Sequence, residues 1–211
     1  MLKTAIATLA ATLAGGGEPA FEGHTEPIRG AIKDRIVGSS WRPGCPVHHS
    51  KLRLLELTHR GFDGEVHRGR LIVHRGHDRE ILRVMRRLFE REYEIRRMEL
   101  IDRYGADDRR SMNADNTSAF NCRFVAGTNR WSMHAYGKAI DVNPVENPYV
   151  SGSHVSPPAG EPFADRARDA EGMIHSGDEV VRAFARKAGW RWGGAWPGST
   201  KDYQHFSANG R

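Results

Sequence analysis

Cysteine is nearly missing from this chain, with two among 211 residues. Cys45 lies in Gly44-Cys45-Pro46 and Cys122 in Asn121-Cys122-Arg123, too far apart for a CxxC metal knuckle or redox motif. A disulfide between them would fit export, and two separate buried thiols fit equally well. Long apolar runs are missing too. No stretch approaches the roughly 20 apolar residues that a membrane span needs, so a soluble mature protein without a transmembrane segment is expected. There is no internal repeat and no one-signed charge block. Lys and Arg exceed Asp and Glu by 32 − 26 = 6, and the pI is about 9.6, which draws the chain toward polyanions without selecting among them. Its basic residues are spread among acids, as in residues 78–97, where a solvated helix face explains them better than a phosphate-tracking stripe. No specific nucleic-acid partner is expected.

The length suits one domain with its own core and is too short for two of ordinary size. Residues 1–14 place one lysine, Lys3, before an uncharged Ala-rich run ending in small residues. That pattern resembles a short secretory signal, and a helical or disordered tail fits it as well. The expected division is a signal peptide or tail over residues 1–24 and a single domain over 25–211. A secreted or cell-envelope location follows from the first reading, a cytoplasmic one from the second, and a monomer is expected.

Residues 25–49 are rich in Gly, Pro and His without periodicity and read as a loop-rich lead-in. Apolar runs over 51–58 and 70–74 flank Gly61-Phe62-Asp63-Gly64 and predict a hairpin. Over 78–93, Ile81, Met85, Leu88 and Phe89 recur near i, i+4, i+7 and i+8, the stripe of an amphipathic helix. Residues 95–101 alternate apolar and charged and predict a half-buried strand. Residues 103–117 read as a polar surface loop that could border a cleft, with strands at 118–125 and 139–142. Residues 144–177 predict a long irregular insertion of the kind that forms lids or binding walls. A second helix is expected over 178–188, with Asp178 near its N-terminus, before a last strand ending at Phe206. The fold class is α+β, a small antiparallel sheet with flanking helices.

Chemistry concentrates in Ser132-Met133-His134-Ala135-Tyr136-Gly137-Lys138-Ala139-Ile140-Asp141 and, about sixty residues later, Asp202-Tyr203-Gln204-His205-Phe206. His134 and Asp141 are seven apart, which is no helical pair, and Gly137 between them predicts a turn feeding a short strand. Ile140 and Val142 flank Asp141, so its strand runs beside the core. A lone buried carboxylate costs several kcal/mol and needs a positive partner. A metal ion would supply it; taken alone, the segment also fits an Asp bonded to backbone amides beside an incidental His. His205 adds a third ligand, the number a catalytic Zn²⁺ site uses while water takes the fourth position. Asp202 is left free for proton transfer, while the ion lowers the pKa of its water toward about 7 and polarises a carbonyl. The remaining histidines show no such pattern. Trp190, Trp192 and Trp196 read as core and cleft wall, with a sugar-stacking platform as the alternative.

These segments resemble the SxHxxGxAxD and [DE]xxH signatures of the M15 peptidases. That family comprises zinc D-alanyl-D-alanine carboxypeptidases and dipeptidases, and L-alanyl-D-glutamate endopeptidases of bacterial cell walls and phage lysins. All five fixed positions of the first signature match, and the resemblance covers about residues 95–206. It implies a hedgehog/DD-peptidase-like fold, Zn²⁺ held by His134, Asp141 and His205, Asp202 as general base and acid, and a peptidoglycan stem peptide as substrate. Family members carry an oxyanion-stabilising arginine on a strand of S-[GA]-[FY]-R type. Here Ser118-Ala119-Phe120-Asn121 has Asn121 at that position, and Arg123 follows two residues on, on the same face of a strand. Arg123 therefore takes the oxyanion role, with Asn121 as helper. By the same resemblance Ser132 lies beside the substrate's amino end, unless its hydroxyl braces the loop. D-Ala-D-Ala carboxypeptidase activity is the default. The rival is a non-catalytic, zinc-stabilised cell-wall binding module of the same fold, which is similar to the hedgehog signalling domain; the free Asp202 carboxylate favours catalysis. A basic surface binder of wall polymers or nucleic acid is a weaker rival.

Overall fold

The computed structural model describes residues 19–211, so the signal expected at residues 1–14 lies outside the described residues. In chain order the elements are β1 (Gly23–Pro27), α1 (Gly30–Ile36), β2 (Leu52–Arg60), β3 (Val66–His74), α2 (Asp78–Glu90), β4 (Arg97–Met98), α3 (Asp108–Asn113), β5 (Asn116–Thr117), β6 (Ala139–Asp141), β7 (Tyr149–Ser151), β8 (His154–Ser156), α4 (Glu179–Ala183), β9 (Arg191–Trp192), β10 (Lys201–Asp202) and β11 (His205–Ser207). The architecture is α+β, built from small, mostly antiparallel sheets and short helices. Among the described residues no helix is long and apolar enough to cross a membrane.

The β2/β3 hairpin forms the framework, in register from Leu52↔His74 to Arg60↔Val66, with β1 added antiparallel to β2. Successive side chains alternate faces. Leu55, Leu57, Leu71 and Val73 pack with Ile81, Val84, Met85 and Leu88 of α2, while Leu52, Leu54 and Ile72 pack with Ile28, Ile36, Phe120 and Cys122 on the other side. Both faces bury leucines of β2, Leu52 and Leu54 on one and Leu55 and Leu57 on the other, and each buried leucine contributes about 1.5–3 kcal/mol. The helix expected over 78–93 ends at Glu90, because Glu92 turns to φ +56°.

Several expectations are corrected. The lead-in is ordered before residue 25: Phe21 packs edge-on against Phe89, β1 begins at Gly23, and α1 buries Ile36. As an edge strand exposing most of its residues, β1 carries no apolar signature. The half-buried strand expected over 95–101 shrinks to β4, which pairs parallel with β5, although Ile95, Met98 and Leu100 are buried. Residues 103–117 are more than a surface loop. Asp107 caps α3 by accepting from the Arg110 amide at 2.9 Å. Ser111, Asn116 and Thr117 are buried, with Asn116 Nδ2 donating to the Glu99 carbonyl and to Ser111 Oγ, each at 3.0 Å. A buried network of polar side chains leaves no hydrophobic period to read.

The strand expected over 118–125 joins no ladder, because each residue bonds a different neighbour, and the Arg123 amide turns back to the Asn121 carbonyl at 2.9 Å, so Asn121 and Arg123 do not lie on one strand. Ser118 exchanges backbone hydrogen bonds with Asp141, the Phe120 amide donates to the Ile72 carbonyl on the edge of β3, that of Asn121 to the His134 carbonyl, and that of Cys122 to the Ser40 carbonyl. Cys122 is also disulfide-bonded to Cys45, which pins this segment to the lead-in.

The insertion at 144–177 is tied down rather than loose. It contains the β7/β8 hairpin, and Arg166 donates to the carbonyls of Glu146, Phe163 and Ile174 while lying over the Tyr203 ring at 4.4 Å. Asn147 accepts from the Ile174 amide at 2.7 Å and donates to the Gly172 carbonyl at 2.8 Å. β7 in turn pairs with β10, with Asp202 opposite Tyr149. The second helix appears as expected, with Asp178 capping α4 by accepting from the Val181 amide. Its last turn widens to a π-helical Phe184–Ala188 before Gly189.

Candidate metal centre and active site

The first motif folds as a 3-10 turn, Met133–Tyr136, leading into β6. Ser132 precedes the turn, and its Oγ accepts from the His134 amide at 3.3 Å, so the hydroxyl braces the turn that presents the imidazole. Gly137 ends the turn at φ +65°, and a Cβ there would lie 2.7 Å from the His74 amide nitrogen. Glycine is required twice over, for the left-handed backbone and for close approach to β3. The contact is used, because the His74 amide donates to the Gly137 carbonyl at 2.8 Å. Ala139 is fully buried opposite Ser207, and Asp141 stands opposite His205 in the antiparallel β6/β11 pair. Strand register therefore brings Asp141 and His205 together across a long stretch of chain.

Three side chains converge. His205 Nδ1 lies 2.9 Å from Asp141 Oδ1, His134 Nε2 lies 3.1 Å from Asp141 Oδ2, and the two nitrogens are 3.3 Å apart. All three residues are buried. His134 Nδ1 sits 2.5 Å from the Ala119 carbonyl, which can only accept, so the ring proton is on Nδ1 and the Nε2 lone pair faces the cluster. Two imidazoles and a carboxylate thus present lone pairs to one point. Burial disfavours charge on Asp141, but His134 and His205 beside it outweigh that and hold its carboxyl well below the usual carboxylate range. Burial likewise lowers the His205 pKa, and the Asp141 hydrogen bond and charge more than reverse this, raising it. The cluster calls for positive charge. Ligands of a tetrahedral ion bound at roughly 2.0–2.1 Å stand roughly 3.3 Å from one another, and the observed separations are close to that. The donor set fits a metal ion: their ligand atoms all lie within 4.8 Å of one another.

Residues 126–208 match the family model described as D-alanyl-D-alanine carboxypeptidase. That segment is therefore similar to the M15 peptidases. Neither a curated protein nor a solved structure matches it. M15 peptidases are metal-dependent hydrolases of peptides, and among the described residues the buried His134-Asp141-His205 group could bind a metal.

The other residues singled out by sequence surround this cluster unequally. Asp202 is half-buried on β10, and its Oδ1 is enclosed without a hydrogen-bond partner. Burial pushes the Asp202 carboxyl up to about 7, with His205 and Arg123 pulling it down and Asp141 and Asp108 pushing it up. Gly193 allows this packing, since a Cβ there would lie 2.5 Å from the Asp202 carbonyl oxygen. Trp196 lies with its ring centroid 6.0 Å from that of His205, while Trp190 and Trp192 are buried in the core. Arg123 pairs with Asp108 at 2.9 Å, and its Nε is enclosed and unpartnered. Asn121 is buried with Nδ2 donating to the Ala106 carbonyl at 3.3 Å, so its side chain holds the α3 approach. Sequence reasoning missed the Ala119 carbonyl and Asp108. A backbone carbonyl leaves no mark in sequence, and Asp108 was hidden in a charged run, Asp107-Asp108-Arg109-Arg110, that resembles any solvated surface.

Proposed function

We propose that this chain is an M15-type, zinc-dependent hydrolase of peptidoglycan stem peptides, with D-alanyl-D-alanine carboxypeptidase as its activity. The observation that carries the reading is the convergence of His134 Nε2, His205 Nδ1 and the Asp141 carboxylate, with an enclosed, unpartnered oxygen of Asp202 within electrostatic reach of His205 and Asp141. When bound there, zinc supplies a Lewis acid and brings the pKa of water toward about 7. His134 and His205 would hold it through their ring nitrogens, and Asp141 would balance its charge. Asp202 takes a proton from the attacking water and returns it to the leaving amine, a role its carboxyl near 7 suits at neutral pH. Arg123 donates hydrogen bonds to the oxyanion that forms on the scissile carbonyl. Ser132 fixes the His134 turn and lies beside the substrate's amino end. The Cys45–Cys122 disulfide supports export to the cell envelope, where such bonds persist and the substrate is found.

Purified protein, loaded with zinc and incubated with a synthetic stem pentapeptide and with intact peptidoglycan, should release terminal D-alanine, seen by mass. Cleavage inside the stem would replace the carboxypeptidase assignment with an endopeptidase one, and binding without any cleavage would establish the binding-module alternative. Asp202→Asn should lower kcat by about 10² to 10⁴ with zinc retained. Full turnover after complete chelation would refute the metal mechanism.

A further inference from the structure

We infer that Asp108 is a positioning residue that orients Arg123 toward the reaction centre, making α3 part of the active-site support. The inference rests on the oxyanion role proposed above for Arg123. Arg123 follows a segment without a ladder of its own, so its direction is fixed by individual contacts. Two of these reach the same place. Asn121 Nδ2 donates to the Ala106 carbonyl, and two residues on, Arg123 Nη2 forms an ion pair with Asp108 Oδ2 at 2.9 Å. The Arg123 amide donates to the Asn121 carbonyl at 2.9 Å, closing a tight turn at Cys122, and the two side chains flanking that turn reach Ala106 before α3 and Asp108 at its first position. α3 is itself anchored by the Asp107 cap and by buried Ser111, whose hydroxyl accepts from Asn116.

The Arg123–Asp108 pair is only partly exposed, at 28% and 29% of the side chains. With Nη2 held by Asp108, Nε is enclosed and without a hydrogen-bond partner. Asp202, with its own unpartnered oxygen, lies within electrostatic reach of both Arg123 and Asp108. The same segment carries the Ala119 carbonyl that orients His134, so α3, Arg123 and the imidazole belong to one connected support.

The test is a double-mutant cycle with Asp108→Asn, Asp108→Glu, Arg123→Ala and Asp108→Asn/Arg123→Ala, read on the zinc-loaded full chain with a stem pentapeptide. It is paired with solvent exchange of the Arg123 Nε–H by NMR, which needs no turnover. Asp108→Asn should cut kcat roughly tenfold with KM nearly unchanged, leave melting temperature and zinc content as they were, and speed Nε–H exchange. Asp108→Glu should recover most of the loss, and Asp108→Asn should have no further effect once Arg123 is alanine. An inactive Arg123→Ala beside a fully active Asp108→Asn overturns this inference alone, as does additivity in the cycle or unchanged Nε–H exchange. A fully active Arg123→Ala overturns the oxyanion reading and this inference together.

Discussion

The hairpin framework of β1, β2, β3 and α2 and the site-bearing region from residue 118 to 207 are held together in different ways. The framework is repetitive: leucines and β-branched residues alternate between two apolar clusters, and one contact resembles the next. In the site region each residue has its own partner. Ser118 binds Asp141, Phe120 binds Ile72, Asn121 binds His134, and Gly137 fits only against His74. A repetitive core spreads its stability over many similar contacts and loses part of it when one is removed. A region of one-off contacts holds atoms in place for chemistry, and each loss falls on function.

Mutations can break that comparison. The largest effect is expected from His134→Ala, which should abolish both hydrolysis and metal retention while the circular dichroism of the framework persists; metal analysis alongside a peptide assay checks it. Next comes Cys45→Ser/Cys122→Ser. The bridge closes a loop with a sequence separation of 77, and its loss should cost about 4.5 kcal/mol in chemical denaturation. Because Cys122 adjoins Arg123, turnover should fall along with stability, the mark of a bond that joins the two regions. Leu55→Ala should cost about 3 kcal/mol in the same denaturation experiment and leave turnover per folded molecule unchanged. A loss of kcat at Leu55 as large as its loss of stability would erase the distinction.

The smallest effect concerns pH. Burial, and then the neighbouring Asp115, push the Glu146 carboxyl up to about 8, with Arg96 3.6 Å from both acids. Since its folded pKa lies above the unfolded one, Glu146 contributes stability that is fully present below about pH 4.5 and lost as pH rises through about 8. Melting temperatures across that window should fall less steeply in Glu146→Gln than in the parent chain.

The same contrast explains what could be read from sequence. Periodicity revealed the β2/β3 hairpin and α2, because repetition is what periodicity detects. It failed for β1, whose edge position leaves its residues exposed, and for residues 103–117, where buried Asn116 donates to Ser111 and buried Thr117 accepts from the Asn143 amide instead of packing as an apolar stripe. The metal cluster was legible for a different reason. Ser132, His134, Gly137, Ala139 and Asp141 each meet a separate demand of cap, ligand, left-handed turn, packing and ligand, so their spacing is fixed. Arg123 was found by its place on an expected strand, but its partner Asp108 comes from a helix that no pattern announced.

The pairing of Asp141 with His205 across β6 and β11 has one more consequence. Two of the three convergent groups take their separation from the pleat of a sheet, a distance that does not depend on how much chain runs between the strands. The connection can lengthen, shorten or exchange its hairpin while the cluster keeps its dimensions. In such a molecule, preference for a substrate can drift through the connection while the reactive centre stays unchanged.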